Sequence, residues 1–171
     1  MFRIVSSKSI VLKPLPEWPK GDEPEIFDLT QVRAAIKRQA PKSRIVTSDA
    51  KFVAIPAELV DPIIEWTLSA MARLNFGFVP ESRDCDKFAK VLTLVFEMVC
   101  AEAGIKAQAL ALRVHVKQQQ AWAKVRAGGG HAVVAIHTTE GPVVIEPQNG
   151  IRCPLELYPN RNHIFRVLLG G

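Results

Sequence analysis

Residues 84–104, "DCDKFAKVLTLVFEMVCAEAG", constrain the fold more than any other stretch of this chain. Phe88, Val91, Leu92, Leu94, Val95, Phe96, Met98 and Val99 run around most of a helical circumference, so the helix they form has to be covered on several sides. Gly104 stands where a C′ glycine closes such a helix. Directly afterwards the period changes to two. "AQALALRVHV" sets Ala109, Ala111, Arg113 and His115 on one face and Leu110, Leu112, Val114 and Val116 on the other. "HAVVAIHT", a turn over Glu140 to Pro142, and "VVIEP" read as a β-hairpin, and "HIFRVLL" as a final strand. The cover for the helix is therefore expected to be a mostly antiparallel C-terminal sheet.

Upstream, "FRIVSSKSIVLKPL" reads as an extended arm or edge strand, and the proline-rich "PLPEWPKGDEP" as a loop across the surface. "DLTQVRAAIKRQA" predicts a short amphipathic helix, with Asp28 or Thr30 as its cap and Pro41 closing it. "KFVAIP" predicts a short strand. "DPIIEWTLSAMARLNFG" predicts a helix with Asp61 as N-cap, Pro62 at its first position and Gly77 at its stop. The fold class expected is α+β, helices first and sheet afterwards, in a single domain over residues 1–171 whose first 45 residues form an arm and a short helix.

A chain of 171 residues, 48% apolar and 23% charged, has the size and composition of one soluble globular domain. No stretch reaches a membrane-span length without a charge, and the N-terminus carries no apolar segment with a small-residue cleavage site, so a cytoplasmic location is expected. The three cysteines, Cys85, Cys100 and Cys153, match no zinc signature and make a disulfide scaffold improbable. The net charge of +5 is dispersed without a nucleic-acid fingerprint, which argues for a solvated basic surface.

A thiol that reacts as thiolate is best placed at a helix N-terminus, beside a base that takes its proton. Cys85 opens the buried helix. Cys100 lies 15 residues on, about 20 Å along the same axis, and reads as core. His131 follows three glycines and begins a strand, a seat held by the sheet yet open on one side. Glu146 interrupts the apolar strand across the hairpin, where a carboxylate is able to orient an imidazole. Taken together, Cys85, His131 and Glu146 read as nucleophile, base and orienting acid. Two aspartates flank the thiol: Asp84 is placed to cap the helix and Asp86 lies in its first turn, both favouring the helix while their charge opposes the thiolate.

"DCDKFAKV", "GGGHAVVAI" and "VVIEPQNG" resemble the motifs of the papain-like cysteine-protease domains of calcium-activated fungal agglutinins and their bacteriophage and bacterial relatives. The resemblance covers roughly residues 50–155 and implies a papain-like fold, in which the same three residues form the triad and Glu146 stands where papain has asparagine. It further implies a calcium site, for which Asp84, Asp86 and Gln148 are the candidates. Here Asp86 is followed by Lys87, where the family often has a second acid. The activity implied is cleavage of an amide bond in a peptide or other amide substrate through a thioester. Trp122 is expected to wall the cleft, and Lys124 and Arg126 to favour an acidic substrate. No lectin-like repeat is present, so sugar binding is not implied.

Two other readings compete. A cell-wall amidopeptidase shares the Cys–His order and would use His137 as third residue, although "CDKF" is not its usual Cys–Ser–Gly block. A catalytically idle module of the same fold, acting as a phage or prophage structural or adaptor protein, is compatible with the paired aspartates and with the lack of an obvious second oxyanion donor.

Overall fold

The computed structural model describes residues 12–21, 23–47, 50–77 and 84–169. In chain order the elements are β1 (Ile26–Asp28), α1 (Leu29–Gln39), β2 (Arg44–Thr47), β3 (Lys51–Val53), α2 (Ala57–Arg73), α3 (Cys85–Glu102), β4 (Gln108–Ala109), β5 (Ala111–Lys117), β6 (Gly130–Thr138), β7 (Gly141–Ile145), β8 (Arg152–Pro154) and β9 (Ile164–Leu169). Two short 3-10 turns, Leu155–Leu157 and Arg161–His163, precede the last strand. The fold is thus mixed α+β, with three helices and two mostly antiparallel sheets among the described residues. None of the helices is long and apolar enough to cross a membrane.

The larger sheet has the order β2-β9-β5-β6-β7-β8 and the smaller one β1-β3-β4. Period two along β5 and β6 divides their side chains as the sequence requires. Ala111, Ala132, Val134 and Ile136 face α2 and α3, whereas Val114, Val116, Val133 and Ala135 face a second core with Val32 and Tyr158. Both faces are therefore covered, and a slip of one residue would exchange the two cores. The single run "AQALALRVHV" is broken at Leu110, Gln108 and Ala109 joining the smaller sheet and Ala111 onward the larger.

The helix that demanded cover receives it from β4, β5, β6 and α2. Phe88, Ala89, Leu92, Val95, Phe96, Val99 and Cys100 are buried, while Leu94 and Met98 stay exposed, so its cover is less complete than the sequence suggested. Gly104 at φ +71° ends α3, with its N–H on the Ala101 carbonyl and that of Ile105 on Cys100.

Three expectations change. First, α2 begins at Ala57 with Pro56 at its cap, so Asp61 and Pro62 lie inside the helix. The buried series Leu59, Val60, Ile63, Ile64, Thr67, Ala70 and Met71 extends one turn further upstream than the proline signal suggested, and burying it outweighs the hydrogen bond that Pro62 cannot donate. Asp61 instead forms a two-pronged ion pair with Arg152, at 2.7 and 2.8 Å. Second, α2 stops at Arg73 and is closed not by Gly77 but by Asn75 (φ +53°), whose N–H bonds Ala72 while that of Phe76 bonds Met71. Asparagine is the side chain that best tolerates this left-handed position. Third, helices do not simply precede sheet, because β2 supplies a parallel edge strand beside β9.

The proline-rich segment does cross the surface: the Trp66 indole donates to the Lys13 carbonyl at 2.9 Å, and Leu15 and Trp18 pack on the helix-side core. Most of the arm expected before it lies outside the described residues.

Candidate active site

Asp84, in extended conformation (φ −93°, ψ −175°), caps α3 by accepting from the Lys87 N–H at 3.3 Å. Cys85 is thereby the first residue of the helix and half-buried against the helix-side core. The N–H groups at such a start have no helix carbonyl to bond.

His131 is the second residue of β6 and is reached through Gly128 (φ +107°) and Gly129 (φ +83°), conformations that only glycine adopts readily. These glycines fold the chain back on Gln118, with Gly128 N–H donating to the Gln118 carbonyl and Gln118 N–H to that of Gly129.

Glu146 follows β7 directly. The pairing Val134↔Ile145 and Ala135↔Val144, continued one step, sets it opposite Val133, two residues and one side-chain repeat from His131 on the same face. It is fully buried. Oε2 lies 2.6 Å from His131 Nε2, and Oε1 accepts from the Gln148 N–H at 3.2 Å. The turn that carries it is closed by Gly150 N–H on the Glu146 carbonyl, and a Cβ at Gly150 would lie 2.6 Å from Ile64. That glycine lets the acid-bearing turn sit down on α2.

With Nε2 engaged by Glu146, Nδ1 is the imidazole nitrogen left for Cys85, whose thiol also acts on His131. Burial works against the charged imidazole, but the hydrogen bonds and charges of Cys85 and Glu146 outweigh it and push His131 up to about 9. The arrangement can take a proton from the thiol and hold it as imidazolium between two acidic groups. The other thiols differ: burial pushes Cys100 up to about 12 and raises Cys153.

The remaining candidates are used otherwise. Asp86 faces His115 Nε2 at 3.2 Å and Arg113 at 3.8 Å, and Gln148 meets Glu146 through its backbone. With Asp84 on the helix end, the calcium set expected from the sequence is dispersed over separate partners, and the described residues hold no group of three or more His, Cys, Asp or Glu able to bind a metal.

Trp122 lies edge-on to Tyr158 at 4.9 Å, in the core on the sheet face shared by His131 and Glu146, and the charge of Glu146 reaches Tyr158. His137 packs edge-on against Phe27 at 5.2 Å and lies six residues, about 20 Å, along β6 from His131, too far to be its third partner.

Sequence reasoning missed the support behind the loop that precedes His131. Asn160, fully buried, accepts from Gln119 and Gln120 N–H at 2.9 and 2.8 Å and donates to the Gln120 carbonyl. The Asn149 amide donates to the carbonyl of Ala123, which with Lys124 adopts positive φ. Nothing in "YPNRNH" or "PQNG" distinguishes these asparagines from ordinary turn residues.

No family model and no curated protein matches this chain. Solved structures do share its fold. The PSL1a–E64 complex superposes with a TM-score of 0.64 at 17% identity, covering 84% of this chain and 50% of that one. Polyporus squamosus lectin bound to the human-type influenza-binding epitope Neu5Acα2-6Galβ1-4GlcNAc gives 0.59 at 19% identity, covering 84% and 49%. The chain thus spans about half the length of these lectin chains, and at such identities the likeness is one of fold.

Proposed function

We propose that this chain is a papain-like cysteine hydrolase that cleaves an amide bond through a thioester, with Cys85, His131 and Glu146 as its triad. One observation carries the reading: the His131 imidazole lies 2.6 Å from a fully buried carboxylate and is acted on by the Cys85 thiol at the start of a helix. Glu146 accepts the Nε2 proton and so fixes the tautomer, leaving the Nδ1 lone pair for the thiol proton.

The Cys85 sulfur gives its proton to His131 and bonds to the substrate carbonyl carbon, whose oxygen takes up the electron pair beside the N–H groups that open α3. As the carbon–nitrogen bond breaks, the imidazolium proton passes to the leaving amine and a thioester remains. Water, deprotonated by His131, then attacks the thioester, and the acid leaves as the thiol is restored.

Alkylation of the three thiols, followed by mass spectrometry between pH 5 and 9, tests this, with iodoacetamide and with the thiol-alkylating epoxide E64 as reagents. Labelling selective for Cys85 below pH 7 and lost in His131→Ala is the expected result. Labelling at the rate of a free thiol, indifferent to that substitution, overturns it.

A second reading, an idle module belonging to a glycan-binding protein, is favoured by the glycan-bound lectin of the same fold. Titration with the same trisaccharide measures it.

A further inference from the structure

On the helix side of the sheet, a row of side chains runs from the start of α3 toward the sheet edge. Ala132, next to His131, pairs with His115; His115 pairs with Arg166; Arg166 pairs with Arg44. At roughly 4.8 Å per strand the row extends about 14 Å from Ala132 to the sheet edge, the span of about four residues of extended peptide. Arg113, two residues before His115 on the same face of β5, lies alongside it.

This row is unusual on electrostatic grounds. Like charges on directly paired strand positions repel, yet Arg44 and Arg166 are paired, and both are exposed. Among the described residues neither has an ion-pair partner. Asp86, the residue after Cys85, faces the row, 3.2 Å from His115 and 3.8 Å from Arg113. The Arg113 Nε is buried and makes no hydrogen bond.

The backbone is shaped at the same point. Pairing of β5 with β9 shifts between His115 and Val116, leaving Phe165 as the extra residue of a β-bulge. Its ring is 45% exposed and lies edge-on to His115 at 6.2 Å. Bulges re-aim side chains beside active sites, and this one turns an aromatic surface to solvent next to two unpaired guanidinium groups.

We propose that this row is the subsite for an acidic peptide segment, which lies across β5, β9 and β2 with its carboxylates on Arg166 and Arg44, its stem on Phe165 and its scissile amide at Cys85. Asp86 marks the inner limit of the subsite by already occupying Arg113 and His115. The inference rests on Cys85 being the reactive group and names the substrate class that group would meet.

The experiment uses the full chain carrying Cys85→Ala, with binding of fluorescein-labelled hexaglutamate, hexaglutamine and hexalysine followed by anisotropy at low salt. Hexaglutamate is expected to bind at least tenfold more tightly than hexaglutamine. The double variant Arg44→Glu/Arg166→Glu, both positions exposed, is expected to abolish that preference and to raise affinity for hexalysine. Equal binding of the glutamate and glutamine peptides overturns the proposal, as does binding of Neu5Acα2-6Galβ1-4GlcNAc at these arginines without binding of hexaglutamate. In the protein with Cys85 intact, hexaglutamate is further expected to slow iodoacetamide labelling of Cys85, and binding without protection refutes a subsite beside the thiol. Slow, His131-independent labelling with hexaglutamate binding preserved would remove the hydrolase reading and leave an acidic-peptide surface, so the two failures are distinguishable.

Discussion

Two histidine–carboxylate pairs flank Cys85, one on each of two neighbouring strands, and they behave oppositely. His131 meets Glu146 at 2.6 Å and is pushed up to about 9; His115 meets Asp86 at 3.2 Å and is lowered below its ordinary value. Burial disfavours the charged ring in both and is the largest single influence on each. The difference lies in the remaining neighbours. His131 is acted on by the acidic groups of Cys85 and Glu146, whereas the charge of Asp86 on His115 is opposed by those of Arg166 and Arg113. A carboxylate beside a histidine therefore does not by itself make a charged pair; the sum of the charges around both decides. On the proposed reading, one pair holds a proton in catalysis and the other leaves Arg44 and Arg166 free for a ligand.

The largest effect is expected from Glu146→Gln, which keeps the shape but removes the charge. Amide cleavage, or Cys85 alkylation below pH 7, should fall by about a thousandfold, while Asp86→Asn should alter it less than tenfold. Comparable losses from the two substitutions would erase the distinction between the pairs.

Next comes the cost of breaking the buried pair. His131→Ala leaves Glu146 with an uncompensated charge and should destabilise the fold by about 3–5 kcal/mol. The double variant His131→Ala/Glu146→Gln should recover much of that loss, and urea denaturation of the three proteins measures the difference. No recovery would mean that packing, and not the buried charge, was responsible.

The two histidines should also leave opposite marks on stability against pH. The folded-state value of His131 is raised, so its contribution is full below its ordinary value of 6.5 and is lost as pH rises through about 9. His115 is lowered, so the folded state binds its proton less readily than the unfolded chain, and stability declines as pH falls through 6.5. Denaturation of wild type, His131→Gln and His115→Gln between pH 5 and 9.5 should flatten the alkaline slope in the first variant and the acid slope in the second. An NMR titration of the two imidazoles reads the same contrast directly.

The smallest expected effect is that of calcium. Asp84 is engaged with the helix end and Asp86 with β5, so millimolar calcium should change the Cys85 alkylation rate by less than twofold. A larger change would mean that the metal draws these carboxylates away from their present partners.

Much of the site was legible before any tertiary contact was known. A cap such as Asp84 and a C′ glycine such as Gly104 act through hydrogen bonds within one turn, so local sequence carries them. The hairpin brought Glu146 to the right region because β6 and β7 are joined by only Thr139 and Glu140. Pro62 and Asn75 misled for the converse reason: the limits of α2 were set by the apolar series it buries and by a left-handed asparagine, against the nearest proline and glycine signals. The partner of Asp86 was not legible at all. His115 and Arg113 lie on a strand that reaches α3 only once the sheet is assembled.

By itself, then, the sequence determined a helix that had to be covered, strands of period two to cover it, and a cysteine, a histidine and a glutamate each placed at the end of an element. These follow from periodicity and from the chemistry of chain ends, which act within a few residues. Tertiary structure decided which carboxylate met which histidine and what else stood nearby. That choice depends on strand register, and register is fixed only when both faces of the sheet are buried together, so that a slip of one residue would turn Glu146 away from His131 and exchange the two cores.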